Sequence, residues 1–585
     1  MTRQPTLWRI LGQRPGSAIA AGMLTVLQAA CTILEVLLLE QFVNGFSFSH
    51  WGRSLLLMGM LAGIYAFYYI QEPAQRYWSD RIRLQLRGVL APYTAEKAAH
   101  VSMASLEQPE TQALLNRLTD SLETRCVKGF SALLQIVGGG LPMAGVFVLI
   151  GRSVPWYLLV ILALLGLMAA VFRLIGTCQV TLYRSRQEIG RRSEYLSGIL
   201  FDRQLAQEKK LFGYTPYIQQ LYQEETVQSG RRMLKSIFFV NAVQWAYDNL
   251  TYLFSASAYL LFLIPLHRGE MDFGLYLAII PALTRLGSFF VQVGSAHLPA
   301  FQEYQACMAD LKQLSELPEQ SYRGADQTEP PPAFRELKGE NLVFRYPGQE
   351  KPIIDGLNFT FQMGKNYALV GENGCGKSTL IKLLLGLYTP ESGRITIDGT
   401  DLGDLDFGTR QRYFSAVFQD FNRYDDTLRE NLTLSDPGRQ GDGSAMEQAA
   451  VEAQIDEWIR TLPQGYDTQL GNLEEGGVDL SGGQWQRLSI ARMLYRRAGL
   501  YLWDEPTAAM DPLAESQLYT AFLKRRSPER ANLFVTHRLG AAVSADWICV
   551  LDQGCFVEEG THSQLMEKPG GLYRRMFEAQ RGMYQ

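Results

Sequence analysis

The sequence predicts two folding units, a six-span α-helical transmembrane domain followed by an α/β domain built on a parallel sheet. Two observations predict this division. The first half of the 585-residue chain holds six long apolar stretches, and the second half alternates short β-type runs with helical patterns. Averages over the whole chain do not show this division. The apolar fraction of 47% and the mean hydropathy of -0.07 combine two halves of opposite character.

The apolar stretches are each near the roughly 20 residues that a helix needs to cross the hydrocarbon core of a bilayer. They lie at about 17–45, 54–72, 130–150, 155–176, 236–265 and 273–296. Basic residues such as Arg81 and Lys209 follow the second and fourth stretches, whereas the other connections are short and carry little charge. By the positive-inside tendency we expect a multi-pass protein of the cell membrane with both termini in the cytoplasm. A buried helical core in a soluble protein is the alternative.

The connections between the stretches indicate further helical structure outside the membrane. Residues 73–129 and 177–235 carry Arg, Glu, Gln and Leu at helical spacing, so the membrane helices are expected to continue as a cytoplasmic stalk. A polar, proline-rich passage at 316–335 cannot continue a helix and marks a domain boundary. We therefore predict a transmembrane domain at 1–315, a linker at 316–335 and a second domain at 336–585.

The charge and the cysteines exclude other classes of protein. A net charge of -4 without a basic face argues against nucleic acid as a partner. The seven cysteines have no paired spacing, which argues against a disulfide framework and a zinc site.

A phosphate-binding loop opens the second domain. Residues 371–379 read Gly-Glu-Asn-Gly-Cys-Gly-Lys-Ser-Thr, between an apolar strand that ends at Val370 and a helical run from Leu380. The glycines let backbone N–H groups turn toward a phosphate, and the helix N-terminus adds a positive partial charge. The sequence therefore predicts a P-loop NTPase nucleotide-binding domain.

We expect this loop to bind ATP together with Mg²⁺. Lys377 would supply a positive charge, and the Ser378 hydroxyl would bind Mg²⁺. Nearby N–H dipoles and Lys377 could favour the thiolate of Cys375, and an incidental, unreactive cysteine is the alternative. The predicted nucleotide contacts in the loop are Gly371, Glu372, Asn373, Gly374, Cys375, Gly376, Lys377, Ser378 and Thr379.

Two adjacent carboxylates are predicted to complete the catalytic centre. The apolar run 500–503 delivers Asp504 to a strand end, where a carboxylate binds Mg²⁺ beside the phosphates. Glu505 follows where the chain turns, and we expect it to polarise the attacking water. An isolated Asp-Glu pair is more often a solvated turn, but the phosphate loop upstream favours the catalytic interpretation.

A third motif, at 480–484, reads Leu-Ser-Gly-Gly-Gln and precedes a helical run. The order of the three motifs resembles the ATP-binding cassette (ABC) family, and the apolar spans resemble its exporters over nearly the whole chain. The resemblance implies that a second chain holds the ATP that this motif contacts. A half-transporter working as a homodimer is expected, and a heterodimer is the alternative. The predicted contacts are Ser481, Gly482, Gly483 and Gln484.

The resemblance also assigns roles to single residues. Tyr346 matches the aromatic that stacks on adenine, and a core tyrosine is the alternative. Gln419 matches the glutamine that contacts Mg²⁺ and the attacking water. Asp511 matches a loop that crosses the dimer interface, and His537 matches the histidine that contacts the γ-phosphate and positions the catalytic carboxylate.

Two residues depart from the family pattern. Met510 replaces the usual leucine before Asp511, and we expect little effect from this exchange. Trp503 is bulkier than the aliphatic residue usual before Asp504, which raises a question about local packing.

The membrane half contains features that suggest coupling and transport. Segments 106–110 and 207–212 resemble the coupling helices of exporters, and ordinary stalk surface is the alternative. Glu35, Asp248 and Arg285 lie in otherwise apolar stretches, where a charge is costly and faces a cavity or a partner. Asp248 and Arg285 are expected at similar depth. A structural ion pair and a substrate site both remain open.

Together these features predict an ATP-driven transmembrane exporter of a peptide, a lipid or a hydrophobic small molecule. Segments 418–421 and 483–487 resemble those of peptide exporters of the lantibiotic type. An importer of the same architecture and an ATP-gated sensor that does not transport are the alternatives. The expected partners are a second half-transporter, the lipid bilayer and the transported substrate.

Overall fold

The structure of the protein is a computed structural model with two compact units. It describes residues 7–46, 51–119, 121–159, 161–163, 166, 191–202, 205–320, 334–471, 476–506, 518 and 528–583. The helical unit comprises Met1–Ala98 and Ala113–Glu316, and the α/β unit comprises Ala99–Gln112 and Leu317–Gln585. The short segment Ala99–Gln112 thus folds with the α/β unit, which differs from the contiguous boundaries expected from the sequence.

Helices dominate the described residues of the first part of the chain. Several of the long helices continue through internal prolines, namely Pro73, Pro92, Pro142, Pro265 and Pro281. Its helices are α1 (Leu7–Gln13), α2 (Gly16–Gly45), α3 (Trp51–His100), α4 (Met103–Leu106), α5 (Pro109–Thr119), α6 (Leu122–Ser153), α7 (Arg191–Phe201), α8 (Ala206–Phe212), α9 (Thr215–His267), α10 (Phe273–Gln292), a π-helical turn (Val293–His297) and α11 (Leu298–Glu316).

Four described helices are long and apolar enough to cross a membrane, namely α2, α3, α6 and α10. They coincide with the first, second, third and sixth predicted stretches. The fifth stretch lies in α9, whose apolar part, Tyr252–His267, is shorter than a full span. The fourth stretch, 155–176, lies mainly outside the described residues. The chain is a multi-pass membrane protein.

The predicted coupling segments differ in how closely they match helices. Segment 207–212 lies within α8, which ends at Gly213 in the left-handed conformation that glycine favours. Segment 106–110 instead spans the turn between α4 and α5, because Pro109 begins a new helix. The short helix of the first connection therefore lies at Met103–Leu106.

An ion pair between a buried carboxylate and a partly exposed guanidinium joins α2 to α10. Arg285 donates from both terminal nitrogens to the Glu35 carboxylate, at 2.5 and 2.9 Å. Tyr65 and Tyr68 of α3 donate their hydroxyls to the same carboxylate, at 2.9 and 3.0 Å. The Glu35 side chain is 2% exposed, so these four hydrogen bonds replace its water.

This arrangement gives Arg285 a partner that the depth estimate did not predict. Asp248 and Arg285 were expected at similar depth, but the carboxylate that binds Arg285 belongs to Glu35, because α2 packs directly against α10. The Asp248 side chain lies outside the described residues.

Substituting Arg285→Leu is expected to destabilise the helical unit by about 3–5 kcal/mol, because a buried carboxylate loses its cation. The double variant Glu35→Gln/Arg285→Gln should recover most of the loss. Arg268→Leu is the matched control, since its ion pair with Glu270 spans 3.9 Å and is exposed. Thermal denaturation of the full-length protein in detergent measures these effects, and equal melting temperatures for Arg285→Leu and Arg268→Leu would contradict the prediction.

The second part of the chain is an α/β unit with ten strands among its described residues. The strands are β1 (Glu336–Phe344), β2 (Ile354–Gln362), β3 (Asn366–Val370), β4 (Ser392–Ile397), β5 (Thr400–Asp401), β6 (Phe414–Val417), β7 (Leu500–Asp504), β8 (Ala531–Val535), β9 (Trp547–Asp552) and β10 (Cys555–Gly560). The α-helices are α12 (Lys377–Leu384), α13 (Phe407–Gln411), α14 (Leu428–Thr433), α15 (Gly443–Glu452), α16 (Asp456–Thr461), α17 (Gly482–Tyr495), α18 (Leu539–Ala542), α19 (His562–Glu567) and α20 (Leu572–Met583), with 3₁₀ turns at Pro437–Arg439 and Gly465–Asp467.

The larger of the two sheets brings the predicted motifs to one edge. Its strand order is β10-β9-β3-β8-β7-β6, and all neighbours are parallel except β10, which pairs antiparallel with β9. Strands β3, β8 and β7 are adjacent, so the residues that follow Val370, Val535 and Asp504 lie at the same carboxyl edge. A second, antiparallel sheet has the order β2-β1-β4-β5.

The core of the α/β unit accommodates the large Trp503 side chain. It is fully buried, its ring lies 5.1 Å from that of Phe534, and its indole N–H donates to Asn532 at 3.4 Å. Asn532 in turn donates to the side chain of Asn366 at 2.8 Å. A polar chain across three strands thus satisfies the indole nitrogen, which answers the packing question that the sequence raised.

Substituting Trp503→Ala should destabilise the α/β unit by about 3–5 kcal/mol, because it leaves a large cavity and removes the donor to the side-chain oxygen of Asn532. Trp503→Leu, which restores an aliphatic side chain, should cost less because it fills part of the space. Thermal denaturation of the full-length protein measures both, with the less buried Trp458→Ala as the control. A loss for Trp503→Ala no greater than that for Trp458→Ala would contradict the prediction.

Candidate nucleotide-binding site

The phosphate loop requires glycine at its first position. Gly371 has φ +157°, and a Cβ there would lie 2.2 Å from the carbonyl oxygen of Leu551 and 2.8 Å from the sulfur of Cys375. Gly376 has φ +111°, in the left-handed region that side chains disfavour, and directly precedes α12. The loop therefore folds tightly at the N-terminus of α12, as a phosphate-binding site needs.

Lys377 lies inside the loop that it is predicted to serve. Its ammonium donates to the carbonyl oxygens of Gly371 at 3.0 Å and Glu372 at 2.8 Å, and the residue is 6% exposed. These neutral acceptors hold the ammonium without neutralising it. The charge remains available to an anion at the mouth of the loop.

The surroundings of Cys375 favour the neutral thiol, contrary to the expectation that they favour the thiolate. The residue is 8% exposed, and burial raises the pKa of its thiol despite the opposing charge of Lys377, whose ammonium lies 3.9 Å from the sulfur. Desolvation outweighs attraction here, so the thiol form is favoured.

Ser378 and Asp504 lie together at the edge of the sheet. The Ser378 hydroxyl donates to the Asp504 carboxylate at 3.0 Å. Burial raises the pKa of Asp504, and the Ser378 hydrogen bond opposes this rise. A desolvated carboxylate next to a hydroxyl oxygen suits a hard cation such as Mg²⁺, which binds oxygen ligands. Gln419, the third predicted ligand, is exposed just beyond β6.

Glu505 and His537 form a second pair at the same edge. The Glu505 carboxylate lies 3.0 Å from Nδ1 of His537, and its own backbone has φ +48°. This left-handed conformation, uncommon outside glycine, turns the chain directly after β7. The backbone N–H of Glu505 donates to Val535 at 3.2 Å, which ties the turn to the end of β8.

Sequence reasoning missed a residue that supports His537. Gln580 of α20 donates its side-chain amide to the carbonyl oxygen of His537 and accepts a hydrogen bond from the N–H of Leu539 at 2.8 Å. The side chain thus holds both ends of the backbone that carries the histidine. No local motif marks Gln580, because the contact joins two distant parts of the sequence.

The motif at 480–484 begins a well-capped helix. Ser481 accepts a hydrogen bond from the N–H of Gln484 at 3.3 Å, and the Gln484 side chain accepts one from the N–H of Ser481 at 2.9 Å. This reciprocal capping box fixes the start of α17. Ser481 and Gly482 are exposed, so the positive end of the helix faces outward.

Of the last two residues assigned from the family resemblance, Tyr346 is among the described residues and Asp511 is not. Tyr346 follows β1, and its hydroxyl lies 3.3 Å from that of Thr379 in α12. Its ring is therefore next to the phosphate loop. Asp511 and Met510 lie outside the described residues.

Comparison with known proteins places these motifs in a family. The model of the ABC transporter family matches residues 354–508, from β2 to just beyond Glu505, and so contains the phosphate loop, the 480–484 motif and both carboxylates. Residues 354–508 are an ABC transporter domain. The protein is an ATP-hydrolysing transporter, and its relatives include a subtilin transport protein and a lipid A-core flippase.

These relatives extend the similarity beyond the ATPase. The subtilin transport ATP-binding protein SpaT of Bacillus subtilis is 26% identical over 524 residues, which cover 89% of this chain and 84% of SpaT. An ATP-dependent lipid A-core flippase of Aromatoleum aromaticum is 33% identical over 370 residues, but the match spans only 59% of the flippase and 62% of this chain.

A solved structure shares the whole fold. A bacterial Atm1-family ABC exporter with ATP bound superposes with a TM-score of 0.79 over 97% of this chain and 98% of that one, at 23% identity. The fold is thus that of an ABC exporter, a helical transmembrane domain followed by an ABC nucleotide-binding domain.

Proposed function

We propose that two copies of this chain form an ATP-driven exporter, with each ATP between the phosphate loop of one copy and the 480–484 motif of the other. The observation that carries the proposal is the arrangement at the carboxyl edge of the larger sheet. There the Lys377 ammonium, the Ser378–Asp504 pair and the Glu505–His537 pair follow three neighbouring strands. Such an edge is where parallel sheets bind ligands.

The residues of one chain would bind the nucleotide in distinct ways. Lys377 and the loop N–H groups stabilise the phosphate charge, and Tyr346 stacks on the adenine ring. Ser378, Gln419 and Asp504 would hold Mg²⁺, which neutralises charge that develops on the phosphates when it is bound. The described hydroxyl and carboxylate oxygens fit this cation.

Glu505 would act as the general base of hydrolysis. Its carboxylate accepts a proton from the attacking water, and His537 holds the carboxylate through their 3.0 Å contact. The His537 side chain is half-exposed, so it would be accessible to the γ-phosphate. Gln580 keeps the backbone of the histidine in place.

The partner chain would supply what each site lacks. The exposed N-terminus of α17 presents N–H groups and a positive partial charge that suit a γ-phosphate. Asp511 would lie at the contact between the two ATPase units. Intact motifs make a homodimer competent, and the mass of the detergent-purified complex distinguishes it from a heterodimer.

The helix α8 would transmit closure of the ATPase units to the membrane. Leu211 and Phe212 at its end are 77% and 68% exposed, an apolar tip that suits docking on the ATPase domain of the partner chain. Leu211→Asp is expected to abolish transport while ATP binding persists, and unchanged transport by this variant would remove α8 from the coupling path.

The transported substrate is proposed to be amphipathic, that is, a peptide, a lipid or a hydrophobic small molecule. A cavity of about 290 Å³ lies between α2, α6 and α10. Apolar residues such as Met143 and Phe147 line it together with polar ones such as Gln28, Gln135 and Ser288. SpaT is named for subtilin transport and the flippase for lipid A-core, and both names fit an amphipathic class.

Transport assays on inside-out vesicles test the direction. With ATP outside, the proposal expects accumulation of fluorescent amphipathic substrates within the vesicles, and no accumulation with the Glu505→Gln variant. Accumulation only in right-side-out vesicles loaded with ATP would identify an importer. ATP hydrolysis without movement of any substrate would indicate a sensor. Protease protection of terminal tags checks the proposed cytoplasmic location of both termini.

A further inference from the structure

The segment Ala99–Gln112 links α3 to α6 but is fixed on the ATPase core. Val101 forms an antiparallel bridge with Glu319, and the N–H of Ser102 donates to Pro318 at 2.9 Å. Met103 and Ala104 pack against the apolar core to which Leu380 and Leu384 of α12 belong. This first cytoplasmic connection is therefore part of the ATPase unit in its packing, although its ends continue into membrane helices.

Glu107, which follows α4, faces two residues next to the phosphate loop. Its carboxylate lies 3.9 Å from the ammonium of Lys382 in α12. It also lies beside the Tyr388 hydroxyl, which is buried without a hydrogen bond of normal geometry. Burial and the nearby Glu107 carboxylate both raise the pKa of Tyr388.

Lys382 and Tyr388 in turn contact the ring of Tyr346. The Lys382 ammonium lies over this ring, 5.3 Å from its centre, and 5.7 Å from the centre of the Tyr388 ring. The two tyrosine rings meet edge to face at 5.2 Å and 86°. Both contacts are of types that fix the orientation of an aromatic ring. The Tyr346 hydroxyl is held separately by Thr379.

We propose that Glu107 and Lys382 are positioning residues for the nucleotide base. They orient the Tyr346 ring for stacking, so that the first cytoplasmic connection and the adenine site depend on one another. The inference rests on the proposed function in one respect, namely that Tyr346 stacks on adenine. By thermodynamic linkage the effect is reciprocal. If the connection increases the affinity for the base when it is docked on the ATPase unit, then binding of the base stabilises the docked connection.

A surface ion pair would not have this consequence. The Lys382 and Glu107 side chains are 30% and 39% exposed, so their direct attraction contributes little to stability. What distinguishes the pair is that its cation also contacts the ring predicted to bind adenine. The inference therefore expects Glu107 to affect nucleotide affinity through Tyr346, and to affect binding of the base rather than of the phosphates.

The experiment measures KM for ATP, kcat and the inhibition constant of tripolyphosphate on the full-length protein in lipid nanodiscs. Tripolyphosphate carries the charges of ATP without a base. We expect Glu107→Gln and Lys382→Met to raise KM for ATP about three- to tenfold, with kcat and the tripolyphosphate constant unchanged. Lys382→Arg should retain most of the affinity because it keeps the cation over the ring. Glu110→Gln, in the same segment and also exposed, is the matched control.

A double-variant cycle tests the path. In a Tyr346→Leu background, Glu107→Gln should add nothing to KM, because the ring that it orients is gone. An undiminished effect in that background, an equal rise in the tripolyphosphate constant, or an unchanged KM in Glu107→Gln would each overturn the inference. An unchanged KM in Tyr346→Leu alone would instead refute the proposed adenine site. The two failures are thus distinguishable.

Discussion

Glu505→Gln is expected to lower the steady-state rate of ATP hydrolysis at least about 100-fold, because an amide cannot accept the proton of the attacking water. The substitution preserves the shape of the side chain, and the amide can still hydrogen-bond to His537, which lies 3.0 Å from the present carboxylate. Binding of ATP should therefore persist. Phosphate release measures the rate, and retention of radiolabelled ATP measures binding.

Glu567→Gln at the end of α19 is a suitable control for this experiment, since it removes a carboxylate of the same unit away from the sheet edge. It should leave the rate unchanged. Hydrolysis by Glu505→Gln at more than a tenth of the native rate would mean that another group, with His537 the nearest, accepts the proton.

The sequence predicted best those parts of the site that are continuous in the chain. The phosphate loop is one strand, one turn and one helix, so spacing alone specifies its conformation, and Gly371 and Gly376 adopt the backbone that their type permits. The cap of α17 is equally local, because Ser481 and Gln484 are three residues apart. For the same reason Asp504 and Glu505 were predicted as a pair at a strand end.

Contacts between distant segments could not be predicted in the same way. Helical rise gives the depth of a membrane residue but not the direction of its side chain. Asp248 was therefore predicted at a depth similar to that of Arg285, but the carboxylate that binds Arg285 is that of Glu35. Glu107 was recognised only as part of a coupling segment. Its contacts with Lys382 and Tyr388 depend on docking between parts of the chain that no spacing relates.

A single sequence also does not show how much space surrounds a side chain in the core. Trp503 was noted as too large for its family position, but the sequence does not reveal that Asn532 and Phe534 of the next strand accommodate it. Gln580 was missed because both hydrogen-bond partners of its side chain are backbone groups, which carry no sequence signal.

Two inactive variants are expected to restore each other if the ATP sites are shared between chains. Gly482→Asp places a carboxylate at the N-terminus of α17, where it repels the γ-phosphate of ATP held by the partner, and no atom lies within 4 Å of the new Cβ. Lys377→Ala removes the charge from the phosphate loop. Each homodimer should lose at least about 100-fold in hydrolysis rate, because charge stabilisation of the transition state is lost. Gly482→Asn is the neutral control and should lose much less.

Differently tagged chains allow each mixed dimer to be purified and assayed. In the dimer of Gly482→Asp with Lys377→Ala, one shared site contains only native groups, so about half the native rate should return if the sites work independently. A chain carrying both substitutions, paired with a native chain, should stay inactive because each shared site then contains one altered part. If each site were instead built within a single chain, the results would be reversed. The dimer of Gly482→Asp with Lys377→Ala would be inactive, and the dimer of the doubly substituted chain with a native chain would keep about half the native rate. The two dimers together therefore decide whether each chain completes the site of its partner.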